Sequence, residues 1–72
     1  MKIDYPATII NLRAKLDLSQ MELANMLGVS FTSVNRWENG KYAPTKVAKK
    51  KIEILCEEKN IKLEVISDER RF

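Results

Sequence analysis

The chain has 72 residues and a formal net charge of +3, with 44% apolar and 32% charged residues. That makes one compact helical domain rather than two domains or a disordered tail, and one with a thin core, since so short a chain buries about 60% of its unfolded surface. The absence of histidine excludes Ser-His-Asp and Cys-His catalysis and imidazole metal sites, and the lone Cys56 excludes an internal disulfide or a thiolate cage.

Pro6 suits the first turn of a helix, where its missing N–H costs nothing, and Ile9, Ile10, Leu12, Leu16 and Leu18 follow at roughly helical spacing. Ser19 with Glu22 three residues later forms a capping box that starts a second helix, 19–27, with Met21, Leu23, Ala24 and Leu27 on its inner side. Gly28 ends it, because glycine tolerates the left-handed conformation there. Ser30 caps a third helix, 30–39, which holds Val34 and Trp37 at i and i+3 and stops at Asn39-Gly40.

Pro44 and Thr45 open a fourth helix running to about Lys59, with Asn60 as its stop. Ala48, Ile52 and Leu55 form one apolar stripe on it, Val47 and Ile54 another, and the core of so small a domain needs only one. Ile61-Lys62-Leu63-Glu64-Val65 alternates with the strand period. Such a strand needs cover for its backbone, either from Met1-Lys2-Ile3 or across a two-fold axis. Residues 68–72 read as a frayed end. No apolar run approaches the roughly 18 residues of a membrane span, and no signal-peptide pattern begins the chain.

Residues 1–51 carry a formal +5 and residues 52–72 carry −2. Arg36, Lys41, Lys46, Lys49, Lys50 and Lys51 fall close together, opposed only by Glu38. A concentrated basic segment on a small domain points to a polyanionic partner.

Two short helices joined by a three-residue turn must cross steeply. Ala24 supplies the small contact, Gly28 the turn, and Leu23, Leu27, Val29, Val34 and Trp37 the apolar wedge. This is the physics of a helix-turn-helix whose second helix enters the major groove. With Val34 and Trp37 turned inward, Thr32 and Arg36 point away from the core, flanked by Asn35, Asn39 and Ser33, with Phe31 at the rim. Arginine reads guanine bidentately, asparagine reads adenine, and a threonine methyl or phenylalanine meets the thymine methyl.

The stretch from Leu12 to Pro44, and above all S-Q-x-E-L-A-x-x-L-G-V-S followed by V-x-R-W-E-N-G-K, resembles the lambda-repressor-like (Cro/phage-repressor, xenobiotic-response-element type) helix-turn-helix family. The resemblance covers roughly residues 5–58. It implies an all-α domain of four helices, or five, that binds palindromic operators as a homodimer. It also implies that Gln20 positions a phosphate, that Phe31, Thr32, Ser33, Asn35 and Arg36 face base edges or adjacent backbone, and that Asn39 and Lys41 contact backbone. Arg13 and Glu38 match a half-buried ion pair tying the first helix to the third. Family members often continue with a fifth, dimerising helix, whereas this chain continues with a strand-like segment. Some antitoxins of the family carry such a strand and bind a toxin as well as an operator.

Several residues have plainer explanations. Trp37 is a core anchor rather than a stacking platform, Cys56 a small core hydrophobe, and Met21 and Met26 gap-fillers. Phe31 suits an exposed base contact and a half-buried rim position equally. On the fourth helix the lysines precede Glu53, Glu57 and Glu58, an order that opposes the helix dipole by roughly a few tenths of a kcal/mol per charge. Phosphate attraction explains Lys46 and Lys49; Lys50 and Lys51 read as a solvated face.

The resulting expectation is a cytoplasmic, non-enzymatic DNA-binding regulator without cofactor, metal or membrane contact. Residues 1–60 form the helix-turn-helix domain, and 61–72 an extension that serves as a strand or a dimerisation segment. Bases are read by Phe31, Thr32, Ser33, Asn35 and Arg36; phosphates are held by Gln20, Ser30, Asn39, Lys41 and Lys46. The alternative is an antitoxin-type module that binds a protein partner through the C-terminal segment and autoregulates its operon.

Overall fold

A computed structural model describes residues 2–66. Its elements are β1 (Lys2–Ile3), α1 (Tyr5–Leu16), α2 (Gln20–Leu27), α3 (Phe31–Glu38), α4 (Lys46–Glu58) and β2 (Val65–Ile66). The domain is all-α apart from β1 and β2, which pair antiparallel within the chain, Lys2 opposite Ile66 and Ile3 opposite Val65.

Local chemistry sets every helix start. The side chains of Asp4, Ser19, Ser30 and Thr45 each accept a backbone N–H in the first turn of the helix that follows, satisfying donors that have no partner inside the helix. At α2 the capping box is complete: Glu22 N donates to Ser19 Oγ at 3.0 Å and Ser19 N to Glu22 Oε1 at 2.8 Å. Gly28 takes φ +70° at the end of α2. Asp17 and Asn60 adopt the left-handed conformation after α1 and α4, a region these short polar side chains tolerate.

The core collects Ile9 and Leu12 from α1, Leu23, Ala24 and Leu27 from α2, Val34 and Trp37 from α3, and Ala48, Ile52, Leu55 and Cys56 from α4, closed by Ile61. Fully burying one large aliphatic side chain contributes about 1.5–3 kcal/mol. On each helix this inward arc is narrow, and three apolar residues expected on it fall outside. Met21 is 56% exposed and Ile10 47%. Met21 precedes Leu23 by two residues, about 200° around the axis, and Ile10 follows Ile9 by about 100°. Met26, expected as a gap-filler, is likewise half exposed at the edge of α2.

The strand expected over 61–65 is shorter and displaced. Ile61 is buried and Leu63 half-buried while Lys62 and Glu64 are exposed, so the alternation is real. Among the described residues, ladder pairing occurs only at 65–66, opposite β1. Ahead of it, Asp4 N donates to Glu64 O and Glu64 N to the buried Thr8 Oγ1, each at 2.9 Å. These bonds clasp the segment onto the start of α1. Met1, a proposed pairing residue, and the end at 68–72 lie outside the described residues.

Candidate nucleic-acid interface

The crossing of α2 and α3 buries Leu23, Ala24, Val34 and Trp37 between them and turns the opposite side of α3 outward. Thr32 and Arg36, one turn apart, are exposed there, and Phe31 is 44% exposed at the head of the helix. Ser33 is half-buried and shares a 3.0 Å hydrogen bond with Ser30 through their hydroxyls, while Ser30 Oγ also accepts Ser33 N at 3.1 Å. Ser30 thus fixes the first turn of α3, the end that faces base edges in a helix-turn-helix.

A polar ladder runs beneath this face. Arg13 of α1 holds Glu38 bidentately, Nε to Oε2 at 2.6 Å and Nη2 to Oε1 at 2.9 Å. Gln20 Nε2 donates to Glu38 Oε1 at 2.7 Å. Asn35 Nδ2 in turn donates to Gln20 Oε1, and Asn39 Nδ2 to Asn35 Oδ1, each at 3.3 Å. The ladder therefore links α1, α2 and α3 and sets the amide directions of Gln20, Asn35 and Asn39. Gln20 Nε2 uses one of its two hydrogens inward and keeps the other.

Burial by itself pushes the Glu38 carboxyl up, but the hydrogen bonds from Arg13 and Gln20 and the Arg13 charge outweigh it and hold the group below the ordinary carboxylate value. The same pairing raises Arg13, against a smaller opposing effect of burial. With its side chain only 7% exposed, Glu38 withdraws the one negative charge of the basic segment from the surface. Arg36, Lys41 and Lys46 are exposed, and none of them makes an ion pair with a carboxylate among the described residues.

Tyr42 is a residue that sequence reasoning missed. Its ring lies 5.1 Å from Arg36 Cζ, in a cation–π arrangement on the open side of α3. The available signal was an aromatic residue beside Lys41 in a loop without periodicity. The lysines separate into distinct environments. Lys41 and Lys46 are exposed; Lys49 lies 5.4 Å from the Tyr5 ring centre. Lys51 donates to Leu27 O at 3.2 Å and so caps α2. Tyr5 in turn donates to Glu53 Oε2 at 3.0 Å, and burial first, then this carboxylate, pushes its hydroxyl pKa up.

A helix-turn-helix family model matches residues 9–55, more than half of the chain. The chain belongs to the helix-turn-helix family, in its XRE, lambda-repressor-like branch. No curated protein and no solved structure matches it significantly. This helix-turn-helix protein is accordingly a DNA-binding regulator of the XRE type, a family that is regulatory and not typically enzymatic. The matched region contains α2, α3 and the loop with Tyr42, and it ends within α4. No helix among the described residues is long and apolar enough to cross a membrane.

Proposed function

We propose that this helix-turn-helix protein is a sequence-specific transcriptional regulator that inserts α3 into the major groove and acts as a homodimer on a palindromic operator in the cytoplasm. The observation that carries this reading is the outward face of α3: exposed Phe31, Thr32 and Arg36 above an amide ladder anchored by a buried carboxylate. Arg36, with Thr32, Asn35, Ser33 and Phe31, selects bases. Gln20, Ser30, Asn39, Lys41 and Lys46 hold phosphates and set the register. DNA binding belongs to residues 1–60 and needs no cofactor; residues 61–72 form an extension.

Selection of bound duplexes from random DNA tests the reading and reports half-site spacing at the same time. Arg36→Ala is expected to lower affinity by about 1–3 kcal/mol and relax one base position, whereas Lys41→Ala weakens all sequences alike and lowers the salt slope by about 1. Unchanged base preferences in Arg36→Ala would remove Arg36 from the reading set. A second reading, a protein partner held by the C-terminal segment, draws on Val65 and Ile66, which are 50% and 44% exposed in β2. Retention of a co-purifying partner by the Val65→Ser/Ile66→Ser variant would dismiss it.

A further inference from the structure

Among the described residues, nothing covers the outward face of α4. Ala48, Ile52, Leu55 and Cys56 turn into the core. Opposite them, Val47 is 66% exposed and Ile54 44%. Seven residues apart, these two lie within about 20° of one another around the helix axis and make a single stripe. Lys50 and Glu57 border the stripe on one side, Lys51 and Glu58 on the other, all exposed. On each flank the lysine stands toward the N-terminus and the glutamate seven residues later. The first turn of α4 has no acidic residue and the last no basic one. Within a single chain, both flanks therefore run against the helix dipole.

A second copy laid antiparallel removes the conflict. A two-fold axis through Ile54 keeps each flank on its own side and reverses its direction. Lys50 then meets the partner's Glu57, and Lys51 the partner's Glu58. With the symmetric pairs, four ion pairs surround the contact of Ile54 with the partner's Ile54. The two helix dipoles also oppose one another. A parallel pairing would set lysine on lysine and glutamate on glutamate along both flanks, so the charge order admits one direction only. On the Lys51–Glu58 flank, a groove of about 390 Å³ opens between the end of α2 and α4, with Met26 and Ile54 among its lining residues. It gives the partner's apolar side chains a depth that a bare helix lacks.

We infer that two copies of this chain pair antiparallel through α4 about Ile54, with Lys50 against the partner's Glu57 and Lys51 against the partner's Glu58. This specifies the surface of the dimer in the proposed function and rests on that reading for its role on DNA, but the pairing itself is measured without DNA. Lys51 already caps α2, whereas Lys50 and Glu57 make no side-chain hydrogen bond or ion pair among the described residues. The test therefore uses Lys50 and Glu57.

Sedimentation equilibrium of the full chain at low salt, with circular dichroism to verify folding, reads the association. K50E and E57K each turn two attractions per dimer into two repulsions, and each is expected to weaken self-association about thirtyfold. An equimolar mixture of the two variants restores both attractions and should associate as tightly as the wild type. A wild type that stays monomeric up to about 1 mM, variants that associate as well as it does, or a mixture no tighter than its parts would overturn this surface. A palindrome selected by a chain whose K50E variant still dimerises would overturn the surface and leave the proposed function standing. A non-palindromic selected site from a chain that shows the charge-swap rescue would support the surface and overturn the proposed operator.

Discussion

Replacing Arg13 with methionine strips the guanidinium from a carboxylate that the fold has already taken out of water. The Glu38 side chain is 7% exposed and that of Arg13 25%. Glu38 accepts three hydrogen bonds, two from Arg13 and one from Gln20, and the variant keeps only the last. Breaking a buried pair from one side costs about 3–5 kcal/mol. A quarter-exposed arginine leaves room for water to replace part of the loss, so about 2–3 kcal/mol is expected here. At about 0.05–0.15 kcal/mol per residue, a chain of 72 residues has roughly 4–11 kcal/mol of stability in total. The thermal midpoint should therefore fall by about 10–20 °C.

Urea titration followed by the fluorescence of Trp37, the single tryptophan, measures the loss at neutral pH and its dependence on acid. In the wild type the folded Glu38 ionises below its ordinary 4.5, so its contribution is complete above that value and is lost as pH falls through the folded one. Without Arg13, burial is the largest remaining influence and raises the folded pKa. The Glu38 part of the acid slope then changes sign, because the folded state now binds its proton first. A loss under about 1 kcal/mol with the wild-type slope intact would refute the assignment of this pair as the lock between α1 and α3.

Tyr42→Leu removes the ring beneath Arg36, worth about 0.5–1 kcal/mol at an exposed site, and should weaken DNA binding about two- to fivefold with the change confined to the base position that Arg36→Ala relaxes. Tyr42→Phe keeps the ring and should bind like the wild type; equal damage from both would transfer the role to the hydroxyl. Gly28→Ala builds a Cβ whose nearest neighbour is Lys51 Nζ at 3.6 Å, an ordinary contact, so the whole cost lies in the left-handed backbone. That cost is about 1–2 kcal/mol, and a thermal scan showing no drop in midpoint would refute it.

What the sequence disclosed follows the range of the interactions. Ser19 with Glu22, Ser30 with Ser33, and the left-handed Gly28 act within four residues, and each could be placed without tertiary knowledge. Val34 and Trp37 were also legible, since a three-residue spacing defines an inward side. Met21 and Ile10 were not, because apolar character does not reveal how narrow the covered arc of a helix is. The bonds from Gln20 to Glu38 and from Tyr5 to Glu53 span 18 and 48 residues, and only the packed helices bring their ends together. Tyr42 stayed hidden for a different reason: it is close to Arg36 in the chain, but the loop after α3 has no periodicity to say which side its ring takes.

The ladder beneath α3 raises the question of why so small a core spends a buried charge. Replacing a buried ion pair by apolar residues of similar volume is often neutral or stabilising, so cohesion alone does not explain it. Direction does. A carboxylate only accepts, which obliges Gln20 to present Nε2 to Glu38 and leaves its Oε1 for Asn35. Asn35 must then present Nδ2 to Gln20 and its oxygen to Asn39. A neutral network could reverse every amide at little cost, exchanging donors for acceptors on the outer face. The charge at Glu38 forbids that exchange. Arg13→Met/Glu38→Met should therefore fold with nearly wild-type stability yet discriminate less sharply at the base position that Asn35→Ala relaxes. Unfolding titration and duplex selection on the same preparation separate the two effects, and undiminished discrimination at that position would show that the ladder serves stability alone.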